Sequence, residues 1–432
     1  MNEDLDMTPE MEFFRDIDNY VIINNDIYRK QFDNPDQLNP TTITKTMFMQ
    51  KFGFSQEDYL SLREFDGWTN EPEHFNYRED VGAMWNLYNK IDIVTEAGDW
   101  STLKQLWHHT YGKNSVEEDQ TEELYDYHTV MLKWPKQIQQ ARILYSHTQG
   151  TAKSAVARIE QEIFKENYVK LRDSELSGDF NMLYCRSLLI HLDEPYFGQP
   201  ASMERKLRDM ITATTMNMRK MKTDHIPVPF YGKFIFTTND SNFMPINPGD
   251  RRYWIREVPP IAEENKDAKF LDRCIKEIPH YLHYLLHERE MKHKESADVT
   301  FWLPYESITK SNAFKKMVKD SEQELETVAR EIIENWFMSH PKEQEFYFRL
   351  KDLRQLVANE MQVRYDSISN KELTVFLRDK NKIEAPDRNT RPTKKHKILT
   401  ADIDKVPGKW WRAERKNFQV DAANLIFTDV RL

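Results

Sequence analysis

The stretch ARILYSHTQGTAKS, Ala141 to Ser154, decides how the rest of the chain is read. A short apolar run, Ile143-Leu144-Tyr145, leads into a loop of small residues that ends in Lys153-Ser154, after which apolar residues recur at helical spacing. Strand, loop, Lys-Ser and helix is the order in which backbone N–H groups at a helix N-terminus cradle phosphate. The strict signature G-x-x-x-x-G-K-[ST] asks for Gly where this chain has His147 and Ala152, so the match rests on Gly150, Thr151, Lys153 and Ser154. A Cβ at position 152 restricts the backbone just where the loop must close on its ligand.

Two later strands carry polar tips. Leu188 to Leu192 is apolar and ends in Asp193-Glu194, and Phe234-Ile-Phe-Thr-Thr leads to Asn239. In a parallel sheet ligands sit at the carboxyl ends of strands, so these tips belong beside the Lys-Ser loop. One carboxylate suits Mg²⁺ and its neighbour suits an attacking water, while the Asn side chain suits a phosphate oxygen. Arg251-Arg252 follows the turn Pro248-Gly249-Asp250. Each motif alone also fits a strand ending in a solvated turn, and their order and spacing together favour the nucleotide reading.

That order resembles the superfamily 3 helicases, specifically the poxvirus-type primase-helicases of viruses, phages and mobile elements. The resemblance spans about Ile143 to Ile255. It implies an AAA+-like α/β P-loop NTPase core that binds ATP and Mg²⁺. Gly150, Thr151, Ala152, Lys153 and Ser154 would form the ATP loop, with Ser154 and Asp193 on Mg²⁺. Glu194 would polarise water, Asn239 would sense the γ-phosphate, and Arg251 or Arg252 would serve a neighbouring subunit as the finger. The family works as a hexameric ring on single-stranded or forked DNA, and its channel region falls on Arg219, Lys220 and Lys222. The implied activity is ATP hydrolysis coupled to unwinding for replication, with a primase or origin-binding partner. The residues ahead of the loop are too few for both a collar and a primase, so none is expected. An ATP-bound clamp that turns over slowly, or another viral motor, is the competing expectation.

Working outward, residues 1–100 mix strand and loop, with Tyr20-Val-Ile-Ile before an Asn-Asn-Asp turn and the aromatic stretch Met84 to Asn89 better suited to core than to docking. Residues 101–140 have helical periodicity, interrupted by an acidic segment, Glu117 to Glu123, that reads as a solvated turn. The ATPase core is expected over 141–295, with a charged linker from Lys292 to Ala297. Residues 296–432 suggest a winged helix, from helices at 322–337, 350–361 and 370–380 and a ribbon of strands at 397–400 and 409–413.

Charge is uneven. The chain of 432 residues carries a net charge of -10, yet Asp387 to Lys416 holds ten Lys/Arg against four acids, a local net of +6. Lys394, Lys395 and Lys397 are therefore expected to touch DNA. Trp410 and Trp411 fit core packing beneath the ribbon better than base stacking. Two cysteines make neither a disulfide framework nor a zinc site. No apolar run approaches the roughly 20 residues of a membrane span, and the acidic N-terminus is unlike a signal peptide, so a cytoplasmic protein is expected.

Overall fold

The structure, a computed structural model, describes residues 8–35, 37–115, 117–178, 181–195, 200–219, 226–240, 244, 246, 249–262, 267–361, 365–381, 383 and 410–418. The chain divides into two compact units. The first comprises Met1–Tyr196, Arg208–Ser241 and Arg251–Ala313, and the second Phe197–Leu207, Asn242–Asp250 and Phe314–Leu432.

The N-terminal part of the first unit holds α1 (Pro9–Arg15), β1 (Tyr20–Ile23), β2 (Asp26–Arg29), α2 (Lys45–Gln50), α3 (Gln56–Ser61) and the short strands β3 (Arg63–Phe65), β4 (Gly67–Thr69), β5 (Asp80–Val81) and β6 (Met84–Asn86). The β1–β2 hairpin closes on Asn24 and Asn25, both with positive φ, the pair a two-residue turn of this hand requires. Trp85, Leu87 and Tyr88 are buried, as the core reading of that aromatic stretch expects.

Two helices follow, α4 (Ser101–Tyr111) and α5 (Thr121–Lys133), then the alternating run β7 (Ala141–Tyr145), α6 (Lys153–Phe164), β8 (Tyr168–Leu171), α7 (Asp173–Ser177), α8 (Met182–Cys185), β9 (Leu189–Asp193) and α9 (Pro200–Ile211). A hairpin of β10 (Thr215–Met218) and β11 (Ile226–Pro229) precedes β12 (Lys233–Thr238) and β13 (Tyr253–Glu257), and α10 (Phe270–Lys276), α11 (Ile278–His283) and α12 (Tyr305–Ile308) complete the unit. Five strands form one wholly parallel sheet in the order β13-β7-β12-β9-β8. β7 and β12 are buried along their whole length, which is why they read as continuous apolar runs rather than alternating ones.

The acidic segment before α5 is not a solvated turn. Glu117, Gln120 and Glu123 are buried, because Glu117 accepts hydrogen bonds from the backbone N–H groups of Glu257, Asn312 and Ala313. The buried Arg256 guanidinium in turn donates to the Gln120 side chain and to the carbonyls of Thr110, Gly112 and Glu118. The charged stretch after Arg289 is likewise anchored, since Arg289 and the Lys292 and His293 backbone N–H groups all bind Asp126. Phe301, Leu303 and Ile308 are buried, and the unit runs on to Ala313, past the boundary at 295 that the charge pattern suggests.

The second unit is built from α13 (Asn312–Ser339), β14 (Glu345–Arg349), α14 (Leu350–Glu360), α15 (Asn370–Val375) and β15 (Trp410–Glu414). Its core takes Leu325, Ala329, Ile333 and Trp336 from one stripe of α13, spaced one helical turn apart. β15 pairs antiparallel with β14, and residues 397–400 lie outside the described residues. The Glu-Phe-Tyr-Phe-Arg alternation of β14 buries Phe346 and Phe348, so a strand that the sequence pattern did not mark lies between two helices. Trp410 and Trp411 are buried against it, in line with the packing role read from the sequence. Among the described residues no helix is long and apolar enough to cross a membrane.

A buried ion pair ties the first unit together. Arg142 of β7 grips the Glu160 carboxylate of α6 with both terminal nitrogens, one at 2.8 Å, and both side chains have no exposed surface. His128 of α5 donates from Nε2 to the same carboxylate at 3.1 Å and meets the Tyr281 hydroxyl at 2.7 Å through Nδ1. Burial works to raise the Glu160 carboxyl, but the Arg142 charge together with the hydrogen bonds from His128 and Arg142 outweighs it and holds the group at about 2 against an ordinary 4.5. A depressed carboxylate pKa stabilises the fold above the unfolded value and loses that stabilisation as pH falls through the folded one. The pair should therefore withstand pH 5 and weaken between about pH 4.5 and 2. Glu160→Gln leaves a guanidinium buried without its counter-charge and is expected to lower unfolding stability by about 3–5 kcal/mol. Urea unfolding followed by tryptophan fluorescence measures this, and a loss below about 1 kcal/mol would show that α6 does not depend on the pair.

Candidate active site

The carboxyl edge of the parallel sheet gathers residues from three strands. Lys153 opens α6 directly after the loop that leaves β7, Asp193 and Glu194 stand at the tip of β9, and Asn239 follows β12. The Lys153 ammonium, largely buried, donates to Asn239 Oδ1 at 2.8 Å. Asn239 faces Glu194 with two donors, its backbone N–H at 2.9 Å to Oε2 and its side-chain amide to Oε1. Burial lowers the Lys153 pKa, partly opposed by the charges of Glu194 and Asp193. Glu194 takes φ +48, a left-handed conformation uncommon for a residue with a side chain, and its backbone N–H donates to Thr237 O at 2.7 Å. The chain thus turns sharply as it leaves β9, and the carboxylate swings toward the tip of β12.

The loop itself is shaped for close backbone approach. Gly150 has φ +73 and Ala152 φ +67 with ψ 7. The sequence places Ala where only Gly adopts this geometry freely, and the structure holds it there all the same. Three contacts enforce the shape. Ser146 N–H donates to Thr238 O at 3.1 Å, Ile261 N–H donates to Gly150 O at 3.0 Å, and the His109 ring bonds the backbone at Thr151 and, at 3.1 Å, the Pro259 carbonyl. Ala152 occupies the N-cap of α6 and offers no side-chain acceptor, so the first-turn N–H groups have no cap from their own chain. Ser154 lies in that turn and is exposed.

Asp193 is held from two sides. Lys170 of β8 donates to Oδ2 at 2.6 Å and Thr237 of β12 donates to Oδ1 at 2.6 Å. Burial pushes the carboxyl up, and these two hydrogen bonds outweigh it, keeping it below the usual carboxylate range. Behind Thr237 stands His191, whose Nε2 lies 2.8 Å from the hydroxyl, and Tyr168 OH lies 2.6 Å from His191 Nδ1. Burial brings the His191 imidazole down to about 4. Sequence reasoning passed over Lys170, His191, Thr237 and His109. His191 and Asp193 are two apart in a strand and so share a face, which is the signal that could have found the histidine.

The 2.8 Å Lys153–Asn239 bond and the paired Asn239–Glu194 contact make a lysine, an amide and a carboxylate converge on one loop. Residues 144–252, which carry all of these groups, match a protein family described as a family of unknown function, DUF5906. A stretch of 127 residues is 23% identical to the DNA primase-polymerase of Nitratiruptor phage NrS-1, covering 28% of this chain and 18% of that protein's length. The apo structure of the NrS-1 C-terminal region aligns with a TM-score of 0.56 at 16% identity, over 83% of this chain and 86% of that one. A second form of the same region gives 0.55 at 15%, over 83% and 87%. This chain shares that region's fold.

The arginines stand elsewhere. β13 runs parallel to β7, and the Arg252 carbonyl accepts from the N–H of Ala141, the first residue of β7, whereas the loop follows Tyr145, the last. Five residues of strand at about 3.3 Å each separate the two ends of the sheet, so Arg251 and Arg252 do not face Lys153 of their own chain. Arg251 is half-exposed and pairs with Asp298 at 2.9 Å. Arg219 lies at the end of β10, its backbone N–H donating to Asn181 Oδ1 at 2.7 Å, so it borders the turn of the β10–β11 hairpin. Lys220, Lys222, Lys394, Lys395 and Lys397 lie outside the described residues.

Ala152→Gly removes left-handed strain of about 1–2 kcal/mol and adds backbone entropy to the unfolded chain of about 0.5–1 kcal/mol. The expected result is a stabilised protein, by up to about 1 kcal/mol, in calorimetry without ligand. A destabilised variant would mean that residue 152 does not hold positive φ in solution.

Proposed function

We propose that this chain is an ATP-dependent DNA helicase of the superfamily 3 type, working as a ring on single-stranded or forked DNA in the replication of a phage, virus or mobile element. The convergence of Lys153, Asn239 and Glu194 at the carboxyl edge of the sheet carries the reading. Similarity to part of a phage DNA primase-polymerase supports a replication setting, with a primase or origin-binding protein as partner and the host cytoplasm as location.

The residues present suit ATP with Mg²⁺. Gly150 to Ala152 would expose backbone N–H groups to the phosphates, and Lys153 would hold the β- and γ-phosphates. Among the described residues no cluster of three or more His, Cys, Asp or Glu could hold a metal alone, which fits Mg²⁺, commonly bound by one or two protein groups together with phosphates and water. Ser154 and Asp193 would be those groups, and the ion when bound neutralises charge on the phosphoryl oxygens. Glu194 would orient water once released from Asn239. Because the Asn239 amide bridges lysine and glutamate, a phosphate that draws off Lys153 also frees the amide, and this couples occupancy to release of the base. Arg251 or Arg252 would act on a neighbour's nucleotide, since each lies at the far edge from its own loop. The Arg251–Asp298 pair opposes this little, as a half-exposed pair is worth about 0–1 kcal/mol. Arg219, Lys220 and Lys222 of the hairpin, with Lys394, Lys395 and Lys397 of the basic tail, would contact DNA phosphates.

A second reading is an ATP-bound clamp with slow turnover, favoured by the strain at Ala152 and by Glu194 being fully engaged with Asn239. Hydrolysis assays separate the two. Lys153→Ala and Glu194→Gln are each expected to lower DNA-stimulated ATP hydrolysis by about 100-fold or more. Mixing Lys153→Ala subunits with Arg251→Ala,Arg252→Ala subunits should restore part of the activity if the arginines act across an interface. Wild-type protein that binds ATP yet hydrolyses none and separates no strands would leave the clamp and remove the helicase.

A further inference from the structure

The hydrogen-bond chain behind Asp193 has a direction that its chemistry fixes. Asp193 is a carboxylate and can only accept, so the single Thr237 hydroxyl proton goes to its Oδ1, 2.6 Å away. The Thr237 oxygen is then left as acceptor for His191 Nε2, 2.8 Å away, which must carry a proton. His191 is buried, and its other ring nitrogen, Nδ1, lies 2.6 Å from the Tyr168 hydroxyl. Tyr168, His191, Thr237 and Asp193 are thus joined in one hydrogen-bonded run across β8, β9 and β12.

Sheet register makes this possible. Thr237 lies directly opposite Asp193, and Lys170 directly opposite His191, so all four side chains rise from one face of the sheet with Tyr168 two residues before Lys170. The polarised hydroxyl of Thr237 occupies one carboxylate oxygen and fixes the plane of the group. The other oxygen, Oδ2, accepts from the half-exposed Lys170 ammonium, so it already faces a cation.

We propose that Tyr168, His191 and Thr237 are positioning residues that hold the Asp193 carboxylate so that Oδ2 is presented to the divalent cation accompanying the nucleotide. The inference rests on the ATP- and Mg²⁺-dependent reading of the site. Partners behind a metal-binding carboxylate commonly contribute about 10- to 100-fold in metal affinity, and the chain predicts which losses go together. Thr237→Val removes the donor to Asp193, while Thr237→Ser keeps it. Tyr168→Phe removes only the far end and should be milder than His191→Phe.

The test uses the full chain and two readouts. Binding of Mn²⁺ to the protein–ADP complex, followed by electron paramagnetic resonance, should weaken about tenfold or more in Thr237→Val and His191→Phe, less in Tyr168→Phe, and return to the wild-type value in Thr237→Ser, with metal-free ADP affinity unchanged throughout. Equal losses of ADP and Mn²⁺ affinity, or no rescue by serine, would mean that these residues only support the fold and would overturn the proposal. Nitrogen-15 NMR of labelled histidine, independent of nucleotide, should show a proton on His191 Nε2. A bare Nε2 means that His191 does not donate to Thr237 and overturns the proposal as well. Wild-type protein with the expected Nε2 proton that binds no ADP with or without metal would instead remove the nucleotide reading, and with it the metal role assigned to the chain.

Discussion

The Arg142–Glu160 pair is the constraint on which the candidate site depends. A loop that must hold unusual backbone angles needs its two ends fixed, and these two residues sit on the strand that enters the loop and the helix that leaves it. Neither charge can leave the other, because an isolated ion in so dry a place is far more costly than the pair. His128 and Tyr281 extend the tie to α5 and α11. α5, which precedes the parallel sheet in sequence, and α11, which follows it, are therefore part of the wall that fixes the loop.

With the loop fixed, the sheet order does the rest. β12 lies between β7 and β9, so Asn239 at its tip stands between Lys153 and Glu194 and can touch both. Were β9 beside β7, lysine and carboxylate would meet directly and the amide would bridge nothing. The same parallel arrangement sends Arg251 and Arg252 to the opposite edge. One topological fact separates groups that serve the chain's own loop from groups that do not.

The central α/β run was legible in the sequence because buried parallel strands are apolar throughout and because Lys153, Asp193 and Asn239 each follow one. The end of β7 and the start of α6 fall where the pattern puts them, on either side of the small-residue loop. Glu117 to Glu123 misled because a run of acids is usually solvated, and only the distant Arg256 and the N–H groups of Asn312 and Ala313 make burial affordable. β14 was hidden for a similar reason, as five residues between two helices gain strand character only from pairing with β15 more than sixty residues on. His191 and Thr237 read as ordinary strand residues, and no local pattern announces a contact made across three strands.

Ala152 joins two local costs in one residue, a left-handed backbone and a helix start without a side-chain cap. An anion bound at this loop would satisfy the first-turn N–H groups and offset the second of them. On the nucleotide reading, the start of α6 would be steadied as ligand concentration rises. Amide hydrogen exchange at the start of α6 would then act as a gauge of occupancy, slow where ligand is abundant and fast where it is scarce.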